Sequence, residues 1–272
     1  MDHLGKNNPW ARPDQPTYLL EFSLTLIVVA LAGAGLTGCQ SEDSKSKETV
    51  AAKSDGGKAQ TETAKADDGV WQHYFNGKNL KNWEVTDFGG QGKVYVKDGQ
   101  IILEEGKGAM TGINWKGAVL RNNFEAEVEA MRVDGGDFFC GFTFPYQKSY
   151  CSLICGGWGG TLVGISSLGG MDASENETTK MMDFKNGQWY RMRVRVTDGR
   201  IRAWIDDKDM VDVRPGAREV GVRMEVESSQ PFGIAAWHTK SALRDIRVRA
   251  LSEDEIREAA EEAKKAAQLG IE

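Results

Sequence analysis

One loop of the chain carries several oxygen-bearing side chains within six residues. Residues 169–182 read GGMDASENETTKMM, with Asp172, Glu175, Asn176 and Glu177 at the centre. Carboxylate and amide oxygens at this density could coordinate a hard cation such as calcium or hydrogen-bond sugar hydroxyls, although the full spacing of a calcium-binding loop is missing. A solvated connection between strands is the alternative. The loop is therefore a candidate site whose role depends on its neighbours.

Aromatic side chains stand where they could stack on a sugar ring. Trp158 lies within the run CGGWGG, whose glycines let the backbone approach a ligand closely. The alternative for Trp158 is a hydrophobic lid on one end of the domain. Trp237 precedes His238, whose imidazole is a candidate general acid or base. We predict that the substrate-binding residues are Trp158, Trp237, Asn176 and Tyr150.

Asp137 is the acid that fits its surroundings least. It precedes Phe138 and Phe139 in an otherwise apolar run, where a carboxylate has to be paired, solvated by a cleft or bound to a cation. Structural roles for Asp137 and His238 are the alternatives. The candidate catalytic residues are His238, Asp137, Glu175 and Glu177, and a divalent metal stays open as a cofactor.

The segments that must position these residues have the period of β-strands. In residues 124–133 (FEAEVEAMRV) apolar residues alternate with three glutamates, and in residues 189–197 (WYRMRVRVT) they alternate with three arginines. This pattern is typical of antiparallel strands with one solvated face. The two charged rows could pair across that face or form an anion-binding patch, and pairing is the commoner arrangement. Asp198-Gly199 predicts a hairpin after the second segment.

Short segments of this kind fill residues 69–251. We predict further strands over residues 93–96, 100–103, 137–144, 149–154, 201–205, 220–226, 232–237 and 243–251. Because no long helix interrupts them, the pattern predicts an all-β domain, an antiparallel β-sandwich or jelly roll. Residues 252–272 are rich in alanine, glutamate and lysine and predict a short C-terminal α-helix capped by Ser252.

The first 68 residues differ from the rest in composition. An apolar run over residues 22–36 leads into LTGC, ending at Cys39, which resembles a bacterial lipoprotein signal with its lipobox. We expect residues 1–39 to be this signal segment, with lipid on Cys39; a buried helix with an incidental cysteine is the alternative. Residues 40–68 contain no aromatic residue and predict a disordered tether. The expected location is the bacterial cell envelope, periplasmic or associated with the outer membrane, with the membrane bound through Cys39.

Charge and cysteine content narrow the function classes. The net charge is −6, so there is no basic excess for binding nucleic acid. Apart from Cys39, the chain has Cys140, Cys151 and Cys155, an odd number that cannot all pair. If residues 145–148 form a turn, Cys140 lies diagonal to the other two, a separation too large for a disulfide. Buried thiols are therefore expected rather than a bridge or a three-cysteine metal site.

Three stretches together resemble a known family. Residues 75–80 (FNGKNL) with Asn82-Trp83 resemble the opening FNGK-L-x-x-W of the 3-keto-disaccharide hydrolase domain. Residues 187–212 resemble the central strand and hairpin of that domain, and residues 233–251 resemble its closing strand. The resemblance spans residues 69–251.

This resemblance implies a fold and an activity. The family is similar to concanavalin A-like sandwiches, in which a concave face commonly meets carbohydrate, so a carbohydrate ligand is implied. Some members act on sugars oxidised at C3 and cleave the glycosidic bond by elimination and hydration. That chemistry requires a base near C2 and an electrophile at the ketone oxygen. A non-catalytic carbohydrate-binding lipoprotein is the alternative function.

Overall fold

The computed structural model describes residues 69–270. The predicted signal segment and tether, with Cys39, lie outside these residues. The described strands are β1 (Gln72–His73), β2 (Trp83–Val85), β3 (Val94–Lys97), β4 (Gln100–Leu103), β5 (Thr111–Trp115), β6 (Phe124–Gly135), β7 (Cys140–Tyr146), β8 (Ser149–Gly156), β9 (Leu162–Ser166), β10 (Lys180–Met181), β11 (Trp189–Thr197), β12 (Arg200–Ile205), β13 (Lys208–Val213), β14 (Gly233–Ala236) and β15 (Thr239–Ala250).

Three shorter or helical elements complete the described chain. They are the turn Gly157–Gly160, a 3-10 helix (Met224–Ser229) and the C-terminal α-helix (Glu253–Gln268). Within residues 69–270, no helix combines the length and hydropathy needed to cross a membrane.

The strands form two antiparallel sheets. Sheet I has the order β13-β12-β11-β6-β15-β4-β3, and β1 pairs with β15 outside this path. Sheet II has the order β10-β9-β8-β7-β14-β5-β2. Alternate residues of each sheet are buried in one shared core, for example Phe124 and Val128 of β6 with Phe142 and Phe144 of β7. The predicted antiparallel β-sandwich is confirmed.

The charged rows lie on the solvent face of sheet I and are in register. Their opposed pairs are Arg191–Glu129, Arg193–Glu127 and Arg195–Glu125. The Nε atom of Arg195 lies 2.7 Å from an oxygen of Glu125, whereas Glu127 binds Arg247 of β15, on the other side of β6. The two rows are opposed as predicted, but Glu125 is the residue of the β6 row that forms ion pairs with the β11 arginines, Arg193 and Arg195. Glu129 binds Arg244 of β15, and Arg191 binds Asp207, so the prediction is confirmed in part.

Two predicted elements were wrong. Residues 220–226 do not form a strand, because only Val220 makes an isolated β-bridge and the segment turns into the 3-10 helix, with Met224 exposed to solvent. The turn predicted at 145–148 is shorter, since β7 continues to Tyr146 and pairs it with Ser149.

The C-terminal helix begins with the predicted cap. Ser252 and Glu255 form a reciprocal capping box at its N-terminus. None of the sixteen residues of this helix is buried. It contacts sheet I through ion pairs, in which Glu255 binds both Arg195 and Arg249.

Candidate functional site

A cleft of about 320 Å³ lies on the outer face of sheet II. Ile154 of β8 and Ser166 of β9 form its floor, on the face of the sheet opposite the shared core. Its lining residues are Met110, Asp137, Phe138, Ile154, Trp158, Ser166, Arg223, Glu225, Val226 and Trp237. The cleft thus joins residues from six separate parts of the chain.

Three of the predicted site residues meet in this cleft, and Asp137 links two of its walls. One carboxylate oxygen of Asp137 accepts a 2.7 Å hydrogen bond from Phe138 N, and the other accepts from Gly159 N at 3.3 Å. The main chain of Asp137 also exchanges hydrogen bonds with the hydroxyl of Thr239. Asp137 therefore fixes the turn Gly157–Gly160 against the start of β7.

Trp158 stands at the rim of the cleft with 45% of its surface exposed. Its backbone is in the left-handed region, with φ 48° and ψ 54°. Gly156 and Gly159 flank it with φ of 79° and 86°, conformations that favour glycine. The glycines of the run CGGWGG thus allow the positive φ angles of this turn, and the turn exposes the indole of Trp158 to solvent.

The opposite wall is apolar. Trp237 N donates to the carbonyl of Phe138 at 3.0 Å, which holds these two aromatic residues side by side. Both pack against the apolar cluster that contains Met110, Ala235 and Val226 of the 3-10 helix. A sugar entering the cleft would meet aromatic and aliphatic surface on this side.

Arg223 and Glu225 form an ion pair in the wall of the cleft. Arg223 immediately precedes the 3-10 helix, and Glu225 lies in its first turn. Arg223 Nε and Nη2 donate to the two oxygens of Glu225 at 3.2 and 2.9 Å, and Arg223 Nη1 donates to Asp172 at 2.8 Å. The guanidinium lies 6.0 Å from the ring centroid of Trp158. The hydrogen bond from Arg223 lowers the pKa of Glu225, which favours the ionised form of this carboxylate. Asp172 of the acidic loop thus reaches the cleft wall through Arg223.

The remaining predicted residues of the acidic loop do not line this cleft. Asn176 is buried, and its amide donates to the carbonyls of Ile165, Met171 and Asp172. Glu177 binds Arg218, and Glu175 lies outside the cleft lining.

Two predicted residues outside the acidic loop also lie off the cleft lining. His238 is adjacent to it, since its ring centroid lies 4.2 Å from that of Trp237, but its side chain is 54% exposed and its Nδ1 lies 3.2 Å from Glu105. The hydroxyl of Tyr150 accepts a 3.0 Å hydrogen bond from Arg121, whose guanidinium stacks 4.9 Å above the phenol ring.

Sequence reasoning missed three polar residues of the cleft. Arg223 and Glu225 fall within the segment predicted as a strand, residues 220–226, and Ser166 lies in a glycine-rich stretch for which no strand was predicted. Their local sequence carries no signal of a site, because the cleft forms only when the segment that follows Gly221 folds back over sheet II, with Gly221 bonded to Ser167 after β9 and the 3-10 helix in contact with β14 and β5. Within residues 69–270, no three His, Cys, Asp or Glu side chains are grouped as metal ligands.

The match to a family model agrees with the sequence motifs. Residues 70–249 match the 3-keto-alpha-glucoside-1,2-lyase-like domain. The chain belongs to this family. The matched range contains every residue that lines the cleft, so the cleft is part of the family domain. A comparison with curated proteins gives no match.

Solved structures of similar architecture include proteins connected with carbohydrates. A candidate glycosyl hydrolase from Parabacteroides distasonis is 14% identical, with 67% of this chain and 94% of that chain covered and a TM-score of 0.45. The carbohydrate-binding module CBM66 from Bacillus subtilis is 12% identical, with 62% and 96% covered and a TM-score of 0.44. Domain 4 of the arabinanase AbnA from Geobacillus stearothermophilus, solved with arabinotriose, is 15% identical, with 64% and 85% covered and a TM-score of 0.41. At these values no functional argument carries over to this chain.

Proposed function

We propose that this chain is an extracytoplasmic carbohydrate-active protein whose cleft binds a glycosyl unit of a 3-keto-glycoside. The observation that carries the proposal is the convergence of Trp158, Trp237 and Asp137 on one cleft. Indole faces stack on the C–H surface of a sugar, while a carboxylate accepts hydrogen bonds from its hydroxyls. The cleft volume of about 320 Å³ lies at the small end of ligand sites, which span about 300–1,000 Å³, and suits one or two sugar rings.

The charges in the cleft favour a neutral sugar. Asp137 and Glu225 contribute negative charge, and the one arginine of the lining, Arg223, is bound to Glu225 and Asp172. A uronate or a sulfated sugar would meet carboxylates without a surplus cation to offset them. We therefore expect uncharged glycosides to bind better than acidic ones.

The proposed reaction is the elimination and hydration described for the family. In a 3-keto-glycoside the ketone acidifies the hydrogen at C2, so a base removes that proton, C1=C2 forms from the C–H electron pair, and the C1–O bond breaks. The leaving alkoxide takes up a proton, and water then adds to the enone. Asp137 and Glu225 are the two carboxylates lining the cleft that could act as the base. Arg223 uses three of its five N–H groups in the contacts above, which leaves two that could meet the ketone oxygen.

The catalytic proposal is tested with 3-keto derivatives of trehalose, maltose and sucrose and the three parent disaccharides, with and without a divalent metal. Mass spectrometry should detect the released sugar only from the 3-keto compounds. Replacing Asp137 by Asn or Glu225 by Gln should slow release by at least about 100-fold for whichever residue is the base. Glu177→Gln, outside the cleft, is the matched control. Absence of product under every condition would contradict catalysis.

A second candidate function is glycan binding without catalysis. It is favoured because both oxygens of Asp137 already accept main-chain hydrogen bonds and Glu225 is held by Arg223. A glycan array separates the two functions: binding without turnover of any 3-keto compound supports this candidate. Binding should be lost in the double variant Trp158→Ala, Trp237→Ala. Unchanged binding by that variant would contradict the cleft as the site.

The lipid anchor is a separate part of the proposal and rests on the sequence around Cys39. Expression of the full chain in a bacterium fed an alkyne-tagged fatty acid should label the protein. A Cys39→Ala variant should lose the label and move from the membrane fraction to the soluble extracytoplasmic fraction. Equal labelling of the variant would contradict lipidation at this residue.

A further inference from the structure

We infer that Ser166 binds a hydroxyl group of the glycosyl unit from the floor of the cleft. The inference deepens the proposed carbohydrate binding and rests on it. Ser166 is the last residue of β9 and lines the cleft beside Ile154. A serine hydroxyl both donates and accepts, so it can pair with a sugar hydroxyl in either direction.

The hydroxyl of Ser166 lacks a partner in the described part of the chain. Its residue exposure is 0%, and its Oγ makes no hydrogen bond. Buried polar groups in folded proteins are nearly always hydrogen-bonded, because a lost contact with water is otherwise not replaced. An orphan hydroxyl at the bottom of a cleft is therefore a site prepared for a group that arrives from outside.

Two hydroxyls on the same face of the sheet, from strands β8 and β7, are already paired with each other. Ser152 of β8 lies directly opposite Ser166 in the sheet, and its Oγ lies 2.7 Å from Oγ1 of Thr143 in β7. All three residues are buried. Ser152 and Thr143 thus share a hydrogen bond with each other, whereas the hydroxyl of Ser166 in the same row has no partner.

The backbone holds Ser166 firmly in this place. On one side, Ile165 bonds Asn176 through its carbonyl and Thr178 through its N–H, each at 2.8 Å. On the other side, Ser167 and Gly221 exchange two main-chain hydrogen bonds. Because Ser166 is already fixed in position, binding a ligand there costs less conformational entropy.

Access to Ser166 requires movement of the cleft wall. Since Ser166 has no exposed surface, a sugar reaches it only when side chains above it shift. Arg223 and Glu225 line the same cleft and have side chains that are 41% and 55% exposed, which leaves them room to move. The ligand would then fill space that these side chains vacate.

The experiment compares Ser166→Ala with Ser152→Ala, measuring Tm without ligand and Kd by calorimetry for the six disaccharides named above. Ser166→Ala removes a group without a partner, so Tm should stay the same or rise, while Kd for the disaccharides that bind should weaken about tenfold. Ser152→Ala breaks the bond to Thr143, so Tm should fall while Kd changes less than about twofold. Ser166→Cys, of similar shape but a weak donor, should lie between Ser166→Ala and the wild type in affinity.

Three results would overturn the inference. A lower Tm for Ser166→Ala would mean that its hydroxyl has a partner in the free protein, such as a structural water. Unchanged Kd for Ser166→Ala, with measurable binding by the wild type, would reject the contact and leave the proposed carbohydrate binding intact. No binding by the wild type to any of the six would reject the proposed function and this contact with it.

Discussion

The side-chain amide of Asn176 donates a 2.8 Å hydrogen bond to the main-chain oxygen of Ile165 in β9. Thr178 Oγ1 accepts from the N–H of the same residue at 2.8 Å. The two-residue strand β10 pairs with β9 only at Leu162 and Val163. Beyond that point the acidic loop supplies, from side chains, the hydrogen bonds that a neighbouring strand would make. Two polar residues of the loop, Asn176 and Thr178, thus complete a sheet edge, and Asp172 extends to the cleft wall through Arg223.

We predict that Asn176→Ala lowers the free energy of unfolding by about 2–3 kcal/mol, because it leaves buried main-chain carbonyls without a donor. Chemical denaturation measures the change. Glu177→Gln, an exposed neighbour, should change stability by less than about 0.5 kcal/mol. Equal effects of the two substitutions would contradict the edge role of Asn176.

We predict that Asp137→Ala weakens carbohydrate binding by loosening the Trp158 turn. The substitution removes the acceptors of Phe138 N and Gly159 N, so stability should fall by about 1–2 kcal/mol. Calorimetry should show a larger loss of affinity than the loss caused by Asp134→Ala. Asp134 is an exposed carboxylate that also accepts from the next N–H, at Gly135, but it lies off the cleft lining. A variant of Asp137 that binds as tightly as the wild type would contradict this role.

The sequence predicted structure correctly where the residues adjacent along the chain determine the local conformation. The alternation of residues 189–197 predicted β11 with the bounds observed. Asp137 stood out as a carboxylate in an apolar run, Trp158 by its flanking glycines and Trp237 as an aromatic residue next to His238. The 3-10 helix was missed because VGVRMEV alternates like a strand, and local periodicity does not show whether an edge is available for pairing.

Residues that depend on tertiary placement gave misleading or no local signals. Glu177 and His238 carry suggestive chemistry but bind Arg218 and Glu105 instead of lining the cleft. Ser166 has an ordinary sequence context, and the absence of a partner for its hydroxyl is visible only in the structure, where the opposite residue Ser152 bonds Thr143 instead. Such information lies in the pairing of strands, which one sequence does not specify.

The register of β7 and β8 corrects the predicted arrangement of the cysteines. Cys140 lies directly opposite Cys155, whereas it was expected to lie diagonal to it, because the connecting turn is two residues shorter than predicted. The three cysteines of the described domain, Cys140, Cys151 and Cys155, are buried and free.

We predict that these thiols resist alkylation while the domain is folded. Burial raises the pKa of Cys151 and of Cys155, and a hydrogen bond with Cys140 raises the pKa of Cys155 further. Peptide mapping after iodoacetamide treatment at pH 8 should find Cys140, Cys151 and Cys155 unmodified in the native protein and fully modified in denaturant. Rapid modification of Cys155 before unfolding would contradict its burial.

We predict that the C-terminal helix detaches from sheet I in acid through protonation of Glu255. Hydrogen bonding to Arg249, helped by the N–H of Ser252 and the charge of Arg195, lowers the pKa of Glu255 from 4.5 to about 2. Because the folded pKa lies below the unfolded one, this carboxylate stabilises the docked helix fully above about pH 4.5, and the contribution is lost as the pH falls toward 2. Amide hydrogen exchange of residues 253–268 across this range measures the loss.

Glu255→Gln isolates this contribution from other acids that titrate in the same range. The variant should already show faster exchange in the helix at pH 7, because it has lost the charge that binds Arg249 and Arg195 and weakened the capping box. Between pH 4.5 and 2 its exchange should then change less than that of the wild type. Glu258→Gln, on the same helix, should follow the wild type. If Glu255→Gln keeps the full acid dependence, the ion pairs of Glu255 are not what holds the helix on the sheet.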